Sequence, residues 1–298
     1  MDDARALLAA AAFRRVPLPA RGIEIAVLDW GGDGPLALLH HANGFCKGVW
    51  AAVAGALRHE LRVVALDARG HGDSSKPAGH DAYAWDGFAD DLADLAAVLA
   101  AETRDGRIAV GIGNSFGGTA MIGAAARRPG LFDRLVLVDA VVPPPPHLPR
   151  GNVDAYARRL VEGARRRRSH WASRAAARAY CRERPLFASW HEVALDAYLL
   201  DGLADAPDGG VVLKCPGAIE AAIFAASNDI DLFARARAVA CPTTVLWAAH
   251  RSFSRPLHEA LAETLPHGRF VVLEAGHLAP MERPERVVSH VRDALAAR

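Results

Sequence analysis

Short β-branched runs alternate with longer Ala/Leu-rich segments of helical period along most of this 298-residue chain, and that alternation constrains the fold more than any single motif. Such a rhythm predicts α/β architecture: a mostly parallel sheet flanked by helices. Eight strands are expected, at Arg15 to Leu18, Ile23 to Asp29, Leu36 to His40, Val63 to Asp67, Ile108 to Gly113, Leu135 to Asp139, Thr243 to Trp247 and Phe270 to Glu274. The first two are close enough to pair as a hairpin, and "WGGDG" (Trp30 to Gly34) reads as a turn before the third. With 51% of residues hydrophobic, the chain can bury a sizeable core.

Between the sixth and seventh strands the rhythm breaks. "PPPP" at Pro143 to Pro146 cannot continue a helix or a central strand, so it reads as a stiff exit from the sheet. Helical segments are expected beyond it near Asp154 to Arg168, Trp171 to Glu183, Glu192 to Leu203, Pro216 to Ala226 and Ile230 to Ala238, with "DAPDGG" (Asp205 to Gly210) as a turn. An all-helical insertion at one point of a parallel sheet reads as a lid over the strand carboxyl ends, where such sheets bind ligands. The expected organisation is a core of residues 1–142 and 240–298 carrying a helical cap of residues 143–239. "ARRRRSH" (Ala164 to His170) reads as a solvated helix face, because it stands alone in a chain with 35 basic and 34 acidic residues.

That charge balance gives no reason to expect nucleic acid, an anionic membrane or a highly charged substrate. No stretch approaches the roughly 18 apolar residues of a membrane span. The partner expected is a small molecule, and the chain is expected as a monomer or homodimer. The four cysteines, Cys46, Cys181, Cys215 and Cys241, lack C-x-x-C spacing, which argues against a zinc site or a disulfide framework. Reduced thiols, and a leading segment that reads as a short helix rather than a signal peptide, predict a cytoplasmic protein.

One stretch carries chemistry. In "VGIGNSFGGTAM" (Val110 to Met121), Gly113 and Gly117 stand two residues either side of Ser115, between a buried strand and a helix with small residues at its start. A serine at a strand-to-helix corner is either a helix cap or a nucleophile on a strained elbow. The elbow gives both glycines a physical reason, since side chains there would collide with the neighbouring strand or helix. A serine hydroxyl needs a base. Of the 13 histidines, His277 in "FVVLEAGHLAPMERPERV" lies at a strand carboxyl end, on the sheet edge where Ser115 emerges. Backbone donors for a developing oxyanion complete such a site, and the N–H of Phe116, directly after the serine, is one candidate.

These residues resemble the α/β-hydrolase superfamily over nearly the whole chain. "VVALDARGHGDSS" (Val63 to Ser75) is similar to the family's loop after the fourth strand, where Asp67, Arg69 and His71 read as architectural, and the cap has the family placement. In "LLHHANGFCKGVW" (Leu38 to Trp50) the resemblance aligns His41-Ala42-Asn43 with the family's H-G-x and places the Asn43 N–H as the second oxyanion donor. It departs at the acid. Most relatives carry an aspartate after the seventh strand, in a stretch similar to "VLWG-x-x-D"; here "VLWAAHRSFS" (Val245 to Ser254) has Arg251 in its place. Asp139, at the end of the sixth strand, is the alternative, as in some branches of the superfamily, although an aspartate there also occurs in relatives that keep the usual acid.

The resemblance, with serine rather than aspartate as nucleophile, implies a carboxylic ester or lactone hydrolase acting through an acyl-enzyme on Ser115, without metal or organic cofactor. Two other readings stay open. One is a C–C bond hydrolase of ring-fission products, to which "GNSFGG" is also similar; the other is a non-catalytic ligand-binding protein on the same fold, motivated by Arg251. For the substrate pocket, His41, Phe45, Phe187, Trp190 and Phe224 are the candidates. Aromatic residues on cap helices also pack among themselves. His147, His191, Lys214 and Glu220 read as surface or capping residues, and Cys46 as an inert buried thiol.

Overall fold

A computed structural model describes residues 1–147, 153–207, 209–227, 229–250 and 253–297. Its strands are β1 (Ala12–Leu18), β2 (Ile23–Asp29), β3 (Leu36–His40), β4 (Arg62–Leu66), β5 (Val110–Asn114), β6 (Leu135–Val138), β7 (His170–Trp171), β8 (Leu203–Asp205), β9 (Val211–Leu213), β10 (Thr243–His250) and β11 (Gly268–Gly276). Eight of them form one sheet in the order β1-β2-β4-β3-β5-β6-β10-β11. Only the β1–β2 and β2–β4 pairs are antiparallel. From β4 to β11 all strands run parallel, so their carboxyl ends share one edge.

The pleat explains how such apolar strands are used. Leu36, Leu38, Leu135 and Leu137 face one hydrophobic cluster with Phe88, Leu92, Phe116 and Met121. Ala37, Leu39, Val136 and Val138 face the other, with Trp30, Val49 and Trp50. Strands covered by helices on both faces read as continuous hydrophobic runs, because neither half of the period is left to solvent. The edge strand β1 keeps exposed residues along its first half.

The eight strands lie where the sequence predicts them, with ends shifted by a few residues. β5 begins at Val110 instead of Ile108, which makes only an isolated bridge to Phe132. β6 ends at Val138 because Asp139 turns to φ 46°, a conformation that leaves the strand.

The cap departs from its all-helical expectation. It contains helices at Val153–Arg165, Arg174–Arg182, Glu192–Asp201, Gly217–Ala225 and Leu232–Ala236, together with a three-stranded antiparallel sheet in the order β7-β9-β8. Trp171 and Leu203, read from sequence as helix ends, belong to that sheet. Strands of two or three residues are too short to show a period of two, so their apolar residues merge with the helical pattern beside them. Cap residues Leu195, Tyr198 and Leu199 join the cluster of Val49 and Trp50, which seats the cap on the sheet domain through one continuous apolar interior.

Candidate active site

Ser115 sits between β5 and the helix Phe116–Arg127 with φ 56° and ψ −123°, a backbone that non-glycine residues rarely adopt and that costs on the order of 1–3 kcal/mol. Its surroundings over-determine it. The Ser115 N–H donates to the Val138 carbonyl at 3.0 Å, and its own carbonyl accepts from the N–H groups of Gly118 at 3.0 Å and Val141 at 3.2 Å. A side chain at Gly113 would begin 2.4 Å from the Gly117 carbonyl oxygen, and one at Gly117 only 2.5 Å from that of His40. Both glycines are therefore fixed by close approach of the helix to β5 and β3.

Two residues from distant parts of the chain complete a hydrogen-bonded series. His277, directly after β11, places Nε2 2.9 Å from Ser115 Oγ and Nδ1 2.6 Å from Asp139 Oδ2. With the proton on Nδ1 donated to the carboxylate, Nε2 is an acceptor for the serine hydroxyl. Asp139 is fully buried; its Oδ1 accepts from the Ala248 N–H at 3.0 Å, and its own N–H donates to Leu246 at 2.8 Å. Strand β10 thus holds the acid of its neighbour β6. Arg251 lies outside the described residues.

Several contacts keep this series in place. Asn114 Nδ2 donates to the carbonyls of Val138 at 2.9 Å and His277 at 3.0 Å, tying β5 to both partners of Ser115. The Gly276 N–H donates to Glu282 at 2.9 Å, and the Phe253 ring meets the His277 ring edge-on with centroids 4.7 Å apart. Behind Asp139, fully buried His258 directs its two ring nitrogens at the carbonyls of Ser254 (2.9 Å) and Ala140 (3.0 Å), with Nε2 3.7 Å from Asp139 Oδ1. It braces the segment that carries the acid, a role that nothing in the local sequence of its helix signals.

Ser115, Phe116, Asn43 and His277 line one cavity of about 880 Å³ under the cap. Phe116 is the first residue of its helix, so its N–H has no carbonyl to meet within the helix. Asn43 is anchored through its side chain, whose Nδ2 donates to the Glu220 carbonyl at 3.0 Å, while the Gly44 N–H donates to His71 Nε2 at 3.0 Å. Phe45, Phe187 and Phe224 also line the cavity.

Two expected pocket residues are placed elsewhere. His41 is fully buried away from the cavity, its Nδ1 donating to the Ala42 carbonyl at 2.7 Å and its Nε2 accepting the Ala68 N–H at 3.0 Å. Burial pulls its pKa down to about 3, which keeps the ring neutral and able to accept. Trp190 stands behind the wall, its ring 4.9 Å from Phe187 and 5.2 Å from Phe45, as part of the cap's own packing.

The arginine run also differs from expectation. The helix ends at Arg165, so Arg167 leaves the helical face and turns inward. Its guanidinium donates to Glu220 Oε2 at 2.6 Å, to the Gly44 carbonyl at 3.2 Å and to Tyr198 Oη at 2.5 Å. Burial alone would lower the Arg167 pKa, but the nearby Tyr198 and Glu220 more than compensate and raise it. Glu220 is accordingly a pocket residue, whereas His191 caps the helix Glu192–Asp201 and Lys214 pairs with Asp73 at 2.9 Å. Sequence reading missed the Arg167–Glu220 pair because four consecutive arginines carry no periodic signal for which one faces inward.

Among the described residues, no group of three or more His, Cys, Asp or Glu is arranged to hold a metal ion, and no helix is long and apolar enough to cross a membrane. The four cysteines are free, and Cys46 is buried, with burial pushing its thiol pKa well up.

A family model described as "Alpha/beta hydrolase family" matches residues 37–290. An uncharacterized protein of Mycobacterium tuberculosis is 36% identical over 128 residues, 43% of this chain and 34% of that protein. A bifunctional esterase/perhydrolase of Acinetobacter calcoaceticus is 36% identical over 126 residues, 41% of this chain and 43% of its own length. The matches therefore span less than half of either curated relative. The crystal structure of E-2-(acetamidomethylene)succinate hydrolase superposes with a TM-score of 0.79 at 25% identity, covering 96% of this chain and all of that one (100%).

Proposed function

The chain belongs to the alpha/beta hydrolase family, and from that premise we propose that it is a serine hydrolase that cleaves a carboxylic ester or lactone through an acyl-enzyme on Ser115. The observation that carries this reading is the series Ser115 Oγ, His277 and Asp139, at 2.9 and 2.6 Å, opening onto the cavity. As Ser115 Oγ attacks the substrate carbonyl, His277 Nε2 takes the hydroxyl proton, and Asp139 steadies the imidazolium through Nδ1. The N–H groups of Asn43 and Phe116 receive the oxyanion, each contributing about 2.7–4 kcal/mol in the transition state. Collapse of the tetrahedral adduct breaks the acyl–oxygen bond, and His277 returns the proton to the leaving alkoxide. A water deprotonated by His277 then attacks the acyl-serine, releasing the acid and restoring Ser115.

A hydrolase family supports the reaction class, and the esterase/perhydrolase relative supports the ester reading. The ester bond itself is inferred from the serine nucleophile and its oxyanion donors. The test is hydrolysis of 4-nitrophenyl acetate and butyrate by the wild type and Ser115→Ala, with a fluorophosphonate label read by intact mass. Loss of about 10⁶-fold in kcat in the variant, with one adduct on the wild type only, is the expected result. A wild type that neither turns over nor is labelled would overturn the proposal and favour a ligand-binding protein.

A further inference from the structure

The cavity has two chemically different ends. At its floor are Ser115 and His277; at its cap side the lining includes Arg159, Arg166, Arg167, Arg168 and Arg184 against a single carboxylate, Glu220, among the described residues. Glu220 is already paired with Arg167, and Arg166 reaches Glu162 at 3.4 Å. Arg159, Arg168 and Arg184 have no acidic partner among the described residues.

These three guanidinium groups are held by aromatic rings. Arg159 stands 5.9 Å from the Tyr156 ring centroid, Arg184 is 4.3 Å over Tyr180, and Arg168 lies 5.4 Å from Tyr180 and 5.8 Å from Trp171. Stacking on a ring restrains a guanidinium while leaving its N–H edge free for an anion. The rings themselves lead back to the chemistry. Tyr156 packs on Phe253 at 6.2 Å, and Phe253 packs on His277 at 4.7 Å, so one aromatic wall runs from the base to Arg159. On the cap side, Tyr180 and Trp171 lie 5.6 Å apart and carry the other two arginines.

We propose that this cavity selects an amphiphilic anion: a substrate whose scissile carbonyl meets Ser115, whose apolar body lies along the aromatic wall, and whose terminal carboxylate or phosphate meets Arg159, Arg168 and Arg184. The proposal deepens the ester-hydrolase reading and rests on it for the scissile end. In a chain of net charge +1, three arginines that line this cavity and have no acidic partner among the described residues form a local field that the global balance hides. An anion reaching them is captured by charge-assisted, fork-shaped hydrogen bonds, and a neutral body of the same length gains nothing there.

The experiment compares kcat/KM for the 4-nitrophenyl half-esters of adipic and suberic acid with that for 4-nitrophenyl hexanoate and octanoate, at low and high salt. The expected ratio favours the anionic esters on the order of tenfold at low ionic strength and shrinks as salt screens the rim. In the triple variant Arg159→Gln, Arg168→Gln, Arg184→Gln the ratio falls toward one. Calorimetric binding of suberate, octyl phosphate and octanol to Ser115→Ala supplies a second readout independent of turnover and separates carboxylate from phosphate. Equal turnover of charged and neutral esters, with no salt effect and no anion binding, would overturn the substrate class while leaving the ester reading intact. Anion binding that the triple variant loses, in a protein that hydrolyses neither series, would instead overturn the ester reading and keep the anion site.

Discussion

Two polar clusters of the molecule are built on opposite plans. Lys47, fully buried, donates to Asp67 at 2.7 Å, Asp73 at 2.9 Å and Asp201 at 3.0 Å. Three ammonium hydrogens meet three carboxylates; Asp67 also accepts the N–H groups of Lys47 and Asp73, Asp201 that of Gly48, and Asp73 a second cation, Lys214. The cluster is closed. It joins the loop after β3, the loop after β4 and the cap helix Glu192–Asp201, so it works as a rivet between cap and sheet. The series Asp139, His277, Ser115 is open at one end, where the serine hydroxyl faces the cavity and His277 keeps 26% of its side-chain surface exposed. A closed network can only hold; a series with one free end can pass a proton.

Substitutions can break or sharpen that contrast. The largest expected effect is at the open series: Asp139→Asn should lower kcat on 4-nitrophenyl butyrate by about 10⁴-fold, through loss of the acceptor that selects the His277 tautomer. Its thermal midpoint, read in parallel, should move far less than its rate. Retained turnover would remove Asp139 from the proposed mechanism. Next comes the rivet: Lys47→Met leaves buried carboxylates without their cation and should destabilise the fold by about 3–5 kcal/mol in urea denaturation. If that variant stays stable but loses activity, the two clusters are not separate devices.

A smaller effect is expected with pH. Burial opposes ionisation of Asp67 and Asp73, but Lys47, and for Asp73 also Lys214, outweigh it and leave both carboxyls below their ordinary pKa. Such groups contribute stability above the unfolded value and lose it as pH falls through the depressed folded value. Asp201 moves the other way, raised by burial and by Asp67, and takes its proton first. The urea midpoint of the wild type should therefore fall below about pH 4, and Lys47→Met should lack that component. A midpoint that falls identically in both proteins would count against the rivet. The smallest effect marks the baseline: Arg166→Ala, at a side chain 76% exposed, should change stability by no more than about 0.5 kcal/mol.

How much of this was legible in the sequence follows the range of the physics involved. The strands β3, β5 and β6 announce themselves because a parallel strand covered on both faces is apolar along nearly its whole length, His40 and Asn114 standing only at the carboxyl ends. The Ser115 corner is equally local, since Gly113 and Gly117 answer a steric demand created within five residues. His277 and Asp139 can be nominated as strand ends on one edge, yet only the fold brings them within 2.6 Å of each other across 138 positions. His41 shows the reverse: beside the site in sequence, it is turned into the core to hold the Ala68 N–H.

The sequence by itself determined the alternation of strands and helices, the point where the cap interrupts it, and the strained corner that presents Ser115, because periodicity and backbone sterics act between near neighbours. Only the tertiary structure decided which acid meets His277, that Arg167 turns inward to Glu220, and that Asn43 is anchored to a cap residue 177 positions away. A buried charge takes whichever partner packing brings within hydrogen-bond distance, and the local order of residues carries no record of that encounter.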